Sequence, residues 1–212
     1  MPLQARSRKT QQDLLDALER LLSRKSFAEI TVAEIAAEAG LTTGAIYRRF
    51  RDKGDLLRAA FDRFLERTEQ FEGSSSPVTD NSTDRVVLHS LITGTLKFTL
   101  SHIPLMRAAA SYDDLPSFDK MRQARNLVAQ RLAQRLRHST LPPEVLEHRA
   151  HFTLRMIAAV IRDTFLSGPG AYDVAKPVEA FVAENRVFID QLISDLLETA
   201  LAYLEIQHAS NR

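Results

Sequence analysis

Residues 31–50, TVAEIAAEAGLTTGAIYRRF, constrain the fold more than any other stretch of this chain. Thr31 and Glu34 form a helix-start signature: the threonine hydroxyl accepts from the amide three residues on, and the glutamate takes the cap amide in return. Ile30 and Ile35 stand at the spacing of a hydrophobic staple, which sets the angle at which the chain enters that helix. The helix should stop near Ala39, because Gly40 suits the left-handed residue that follows a helix end. Thr42 then repeats the device as an N-cap, with Leu41 stapled to Ile46, opening a short helix through Phe50. Two short capped helices meeting at a glycine turn make a helix-turn-helix. Ala36 is small enough for close helix approach, while Ile46 and Phe50 pin the second helix to a core. That register leaves Thr43, Gly44, Tyr47 and Arg48 on the outward face.

Helical periodicity extends over most of the other segments, and no alternating run bounded by turn residues marks a strand. With seven glycines and eight prolines in 212 residues, there is little to punctuate it. The fold class expected is all-α. Leu14, Leu18 and Leu21, widened by Leu15 and Leu22, predict a first helix from about Thr10 to Arg24. Asp52 caps a fourth helix running to about Phe71, with Leu57, Phe61, Phe64 and Leu65 inward. Gly73 to Thr83 has loop composition. Beyond it, a helix over 84–101 should end ahead of Pro104, with a short helix over 103–110 after it. Further helices are expected around Phe118 to Leu136, over 144–167, and from Pro177 to about Gln207 as one element.

Charge is uneven: residues 1–60 hold eleven Lys/Arg against eight Asp/Glu, and the remainder seventeen against nineteen. A net charge of +1 excludes a protein that coats phosphates along its whole surface, but the N-terminal part is mildly basic. Without cysteine there is no disulfide framework, thiolate metal site or cysteine nucleophile. No secretory signal opens the chain and no uncharged apolar run is long enough for a membrane helix, so a cytoplasmic protein without a membrane partner is expected. Metal chemistry has one sequence argument, the Glu144, Glu147, His148, His151 group and a second Glu-x-x-His at Glu205 and His208. A bundle di-iron site needs two such motifs and two further glutamates aimed into an apolar core, whereas these stand in a charged helix start and near a terminus. Neither an enzyme nor a cofactor is expected.

From Leu14 to Leu57 the chain resembles the DNA-binding region of the tetracycline-repressor (TetR) family. The residues that carry the likeness are TVAEIAAEAGLTTGAIYRRFRDKGDLL, with a threonine cap, A-x-x-A-G, G-x-x-Y-x-x-F and a lysine opening the next helix. The position before Phe50, often histidine in the family, is Arg49 here. The resemblance implies a double-stranded DNA operator as partner, with Thr31, Thr42, Tyr47 and Lys53 on backbone phosphates. Thr43, Gly44 and Arg48 are then the base readers, since a threonine methyl suits thymine, glycine allows close approach and arginine forks onto guanine. Arg49 retains a phosphate contact at most, and Arg6 and Arg8 form a flexible arm for a minor groove. Residues 1–52 are expected to be the DNA-binding domain and 53–212 the effector-binding and dimerisation domain.

A helix-turn-helix dimer reads two half-sites, so the body must supply two-fold symmetry. The last helices have more apolar residues than one stripe needs, which makes Ile157, Ile161, Leu192, Leu196 and Ala200 the candidate homodimer interface. The resemblance also implies a small apolar or amphiphilic effector that releases a repressor from a palindromic operator. Its candidate contacts are Phe98, His102, Met106, Tyr112, Phe152 and Met156, with Thr95 and Thr99 as polar groups. The alternative is a helical interaction protein whose helix-turn-helix serves only as packing.

Overall fold

A computed structural model describes residues 3–70, 83–110, 112, 118–166, 171–173 and 176–206. Among them the chain is all-α, in nine helices: α1 (Leu3–Leu22), α2 (Val32–Glu38), α3 (Thr43–Tyr47), α4 (Lys53–Gln70), α5 (Asp84–Ala110), α6 (Phe118–Arg135), α7 (Pro143–Leu166), α8 (Val178–Glu184) and α9 (Arg186–Tyr203). The only β pairing among the described residues is an isolated bridge between Ser139 and Ile206. No helix among them is long and apolar enough to cross a membrane. Two compact units are present. One comprises the described residues of Met1–Leu65, His102–Ser117 and Asp173–Ala175, the other those of Glu66–Ser101, Phe118–Tyr172 and Lys176–Arg212.

In the first unit the α1 stripe of Leu14, Leu15, Leu18, Leu21 and Leu22 is buried, as are Leu56, Leu57, Phe61, Phe64 and Leu65 of α4. Arg63 of α4 ties the two helices electrostatically, with Nη1 2.7 Å from Asp16 Oδ1 and Nη2 2.7 Å from Glu19 Oε1. This is why the compact unit runs beyond residue 52: the first half of α4 completes the core that α1 opens. α1 also begins well before Thr10. Arg6 and Arg8 are helical and exposed, where a flexible arm was expected. The reason is local, since Thr10 Oγ1 donates to the Arg6 carbonyl and Lys9 pairs with Asp13 one turn on.

In the second unit α7 packs on both α6 and α9. Phe165 is fully buried with ring contacts to Phe181 and Phe188, centroids 5.9 and 6.3 Å apart. Two expected boundaries differ from those found. α5 runs unbroken through Pro104, whose missing N–H costs only the bond to the Leu100 carbonyl while Leu100, Ile103, Leu105 and Ala108 are buried around it. The single helix expected over 177–207 is two, α8 and α9, which meet at Asn185: its backbone leaves helical values at φ −104° and ψ 19°, and both its amide and its side-chain Nδ2 donate to the Phe181 carbonyl. The loop expected over 73–83 lies, except for Thr83, outside the described residues, as does His208. Among the described residues no group of three His, Asp or Glu is placed to hold a metal ion.

The expected dimer residues also need correction. Ile157, Ile161, Leu196 and Ala200 are buried within the chain's own second unit and Leu192 is half-buried. Those four face the chain's own core, a distinction that helical periodicity alone does not make. What α7 and α9 leave exposed is Val145, Phe152, Val160, Val187 and Phe188.

Asp84 at the start of α5 is the buried polar staple of this unit. Its carboxylate accepts from the Arg137 amide at 3.0 Å and the His138 amide at 2.8 Å, and it faces His138 Nδ1 at 3.3 Å. Asp84→Ala strands both amides, so it should lower the unfolding free energy by about 1–3 kcal/mol. Urea unfolding followed by circular dichroism measures this, and an unchanged midpoint would refute the role assigned to Asp84.

Candidate nucleic-acid interface

The capping box is formed. Glu34 N donates to Thr31 Oγ1 at 3.2 Å, and Thr31 N donates to Glu34 Oε2 at 2.8 Å. Lys25 adds an ion pair to the other oxygen of Glu34. With the Lys25 ammonium first and the Thr31 amide and hydroxyl next, the Glu34 carboxyl is lowered from 4.5 to about 2. Ile30 and Ile35 of the staple are both buried. At the other end Gly40 has φ +66°, the Leu41 amide donates to the Ala36 carbonyl at 2.8 Å, and the Gly40 amide donates to Ala37 at 3.0 Å. Those two bonds make a Schellman turn, which requires a left-handed residue at Gly40.

α3 is held from one side. Ala45, Ile46 and Phe50 are buried, and the Arg49 and Phe50 amides both donate to Ile46 O. Thr42 has the extended backbone of an N-cap, but its side chain makes no capping bond, so the expected hydroxyl cap is absent and the hydroxyl stays on the exposed surface. Beside it Thr43, Gly44, Tyr47 and Arg48 are all exposed, Tyr47 to 59%. Arg48 makes no hydrogen bond or ion pair among the described residues, and its Nη1 lies over Gly44, 3.8 Å from where a Cβ would stand. Arg49 differs. It is half-buried and Nη1 donates back to the Ala45 carbonyl at 3.3 Å, which turns it off the outward face.

Lys53 is placed in a way the spacing did not foretell. Its ammonium donates to Phe27 O at 2.6 Å and Ile30 O at 2.7 Å, with a longer contact to Ala28 O at 3.4 Å, and stands 4.5 Å above the Phe27 ring. Burial holds its pKa below the usual lysine value, against the opposing charge of Glu34. Lys53 thus joins the start of α4 to the segment that leads into the Thr31 cap. The Asp52 carboxylate caps α4 by accepting from the Asp55 amide at 2.8 Å. Asp55 in turn gathers Arg51 and Arg58, whose guanidiniums hold its carboxyl far below the ordinary range. Arg51 is an exposed cation flanking α3 that the motif does not single out, although its i, i+4 spacing to Asp55 is visible in the sequence.

The expected effector contacts fall in two groups. Thr95, Phe98, Thr99, Phe152 and Met156 belong to the second unit, and His102, Met106 and Tyr112 to the first. Thr99 is buried, but Phe152 is 50% exposed against the Tyr203 ring and so does not line an enclosed pocket. In the first unit His102 stacks on Phe64, and the Tyr112 ring meets Phe27 edge-on at 5.9 Å. A cleft of about 640 Å³ opens there, bounded by residues 24–29, Lys53 and residues near Pro104 and Tyr112.

The capping box makes the stability of this region depend on acid. A carboxyl lowered in the folded state contributes stability above its ordinary 4.5, and that contribution is lost as pH falls toward about 2. Glu34→Gln should therefore melt with a shallower pH dependence than the wild type across that window. Parallel melting curves for the two proteins would show that Glu34 is not coupled to folding.

Residues 14–60, which span the capped pair with the end of α1 and the start of α4, match the family described as bacterial regulatory proteins, tetR family. Over 193 residues the chain is 28% identical to the HTH-type transcriptional regulator AcrR of Shigella flexneri, covering 84% of this chain and 87% of that one. Its fold is similar to that of a tetR-family transcriptional regulator from Streptomyces coelicolor, with a TM-score of 0.59, 20% identity and 95% and 90% of the two chains covered. It is also similar to SmeT, the repressor of the Stenotrophomonas maltophilia multidrug efflux pump SmeDEF, with a TM-score of 0.53, 18% identity and 94% and 91% covered. The capped helix pair thus lies in a segment that matches the tetR family of bacterial regulatory proteins, and the likeness to HTH-type transcriptional regulators extends over most of the chain.

Proposed function

We propose that the chain is a transcriptional repressor that binds a palindromic double-stranded DNA operator as a homodimer and is released by a small apolar or amphiphilic effector. The observation that carries this reading is the asymmetry of α3. One face is buried through Ala45 and Ile46, and the other exposes Thr43, Gly44, Tyr47 and Arg48 with no packing duty. A helix so held can enter a major groove. Thr43, Gly44 and Arg48 read bases, while the hydroxyls of Thr31, Thr42 and Tyr47 take phosphates. Arg49, turned back onto its own helix, makes no base contact. Arg6 and Arg8 reach DNA from a helical segment, and Lys53 acts on phosphate only where its carbonyl partners release it. Residues 1–52 are the DNA-binding part and 53–212 the effector-binding and dimerising part. No enzymatic step or cofactor enters this reading.

A Cβ at Gly44 meets only ordinary contacts at 3.8 Å in the free chain, so Gly44→Ala should fold normally. On operator DNA the added methyl intrudes at the groove floor. Arg48→Ala should cost about 1–3 kcal/mol on the true operator and relax preference at one symmetric pair of positions. Fluorescence anisotropy against operator and scrambled duplexes at several salt concentrations separates the roles. Equal weakening by Arg48→Ala on both duplexes would make Arg48 a backbone contact.

Dimerisation is assigned to the exposed apolar residues of α7 and α9, chiefly Phe152, Val160, Val187 and Phe188. Val187 is 85% and its neighbour Phe188 46% exposed in the single chain, adjacent members of this apolar set. Val187→Glu should yield a folded monomer, because at a position 85% exposed in the single chain the carboxylate is solvated in the monomer and desolvated in the dimer. Sedimentation equilibrium reads the outcome, and an unchanged dimer would remove this face from the interface.

A further inference from the structure

We propose that the cleft beside Lys53, in the unit that holds the helix-turn-helix, is a binding site for a small organic monoanion with an apolar body. The cleft is separate from the exposed face of α3 and is built from residues of one compact unit. Its volume of about 640 Å³ is in the range of small-molecule sites. Leu22, Phe27, Pro104 and Tyr112 supply apolar wall, and the perpendicular rings of Phe27 and Tyr112 offer both a face and an edge to a flat ligand.

The charge on the walls selects the ligand's sign. Arg24, Lys25, Lys53 and Arg107 line the cleft against a single carboxylate, Glu29. Glu29 is turned to the Ser26 amide and hydroxyl, at 3.0 and 2.7 Å. Arg24 and Lys25 are neutralised by Glu38 and Glu34 of α2. Lys53 has no ion pair of that kind among the described residues: its three hydrogen-bond acceptors are all neutral carbonyl oxygens, and Glu34 acts on it without direct contact. Two of those bonds are short and the third, to Ala28, is 3.4 Å long, which leaves one N–H with capacity for a better acceptor. Burial already works against the charge on this ammonium, and an anion brought to it reverses that penalty. A carboxylate at Lys53 with its hydrocarbon against Phe27 and Tyr112 satisfies both halves of the site.

Tyr112 closes one side of the cleft by packing directly on Gly54, where any side chain would overlap the phenol ring. A ligand in the cleft therefore bears on the first turn of α4 and on the 27–30 segment that feeds the Thr31 cap. Its effect on DNA affinity rests on the function proposed above, whereas its binding does not.

The test is isothermal titration of the full-length protein, without DNA, with 1-naphthoate and with its neutral analogue 1-naphthamide. One naphthoate should bind per chain, with naphthamide at least about tenfold weaker for want of the charge-assisted bond. Ala28→Trp places an indole in the cleft from an exposed position and should abolish binding, and Lys53→Met should erase the preference for the acid. Circular dichroism of both variants checks folding, and Ala28→Trp decides the matter if Lys53→Met unfolds. Absence of naphthoate binding at millimolar concentration, equal binding of the two compounds, or binding undiminished in Ala28→Trp overturns the site. Retention of duplex DNA is then measured with and without naphthoate. Loss of retention only in the wild type supports coupling, and unchanged retention overturns coupling while the site stands. A chain that retains no duplex DNA under any condition overturns the proposed function and leaves the calorimetric result intact.

Discussion

The left-handed residue at Gly40 is the constraint on which the helix-turn-helix geometry depends. With φ at +66°, two consecutive amides can turn back onto the last carbonyls of α2, and the chain reverses within three residues into the start of α3. A residue with a Cβ would pay about 1 kcal/mol or more to hold that conformation. The tight turn brings Ile35 and Ala36 close to Ala45 and Ile46, and their common burial fixes the rotation of α3 about its own axis. That rotation decides which side chains remain outside.

Lys53 shows how the same unit is held at its other edge. An ammonium shared among carbonyls of a loop is a tether between elements distant in sequence, and here it links α4 to the approach into α2. The second unit uses the same kind of long-range polar contact with a carboxylate. Asp84 takes two backbone amides beyond α6, and Arg149 caps the end of α9 by donating to Tyr203 O at 2.8 Å and to the Glu205 carboxylate at 2.7 Å. Glu205 itself has φ +50°, completing at α9 a Schellman turn of the kind Gly40 makes at α2, with the Glu205 and Ile206 amides donating to Ala202 and Leu201. Its ties to Arg149 and Thr140 offset the strain that a non-glycine residue carries there.

Much of the helix-turn-helix was legible because its signals are short in range. A capping box spans four residues, a staple six, and a Schellman turn is marked by one glycine. The Thr42 hydroxyl is instructive in the other direction: its backbone is that of a cap, yet the side chain makes no capping bond, and nothing in the sequence separates those two conditions. The outward set Thr43, Gly44, Tyr47 and Arg48 was recoverable from helical phase, whereas the inward turn of Arg49 was not, since it depends on which rotamer reaches the Ala45 carbonyl.

What the sequence determined by itself is therefore local: the all-helical class, the caps of α2 and α4, the glycine turn, and the phase of α3. Tertiary structure decided everything that depends on competition between distant partners. Pro104 did not end α5, because burial along that helix outweighs one missing hydrogen bond. Asn185 did divide the last helix, with its backbone turned out of the helical range while its amide and side chain both hold the Phe181 carbonyl. Ile157, Ile161, Leu196 and Ala200 went to the chain's own core and left Val187 and Phe188 outside. Periodicity counts apolar residues on a helix, but burial is settled by which neighbouring helix reaches them first.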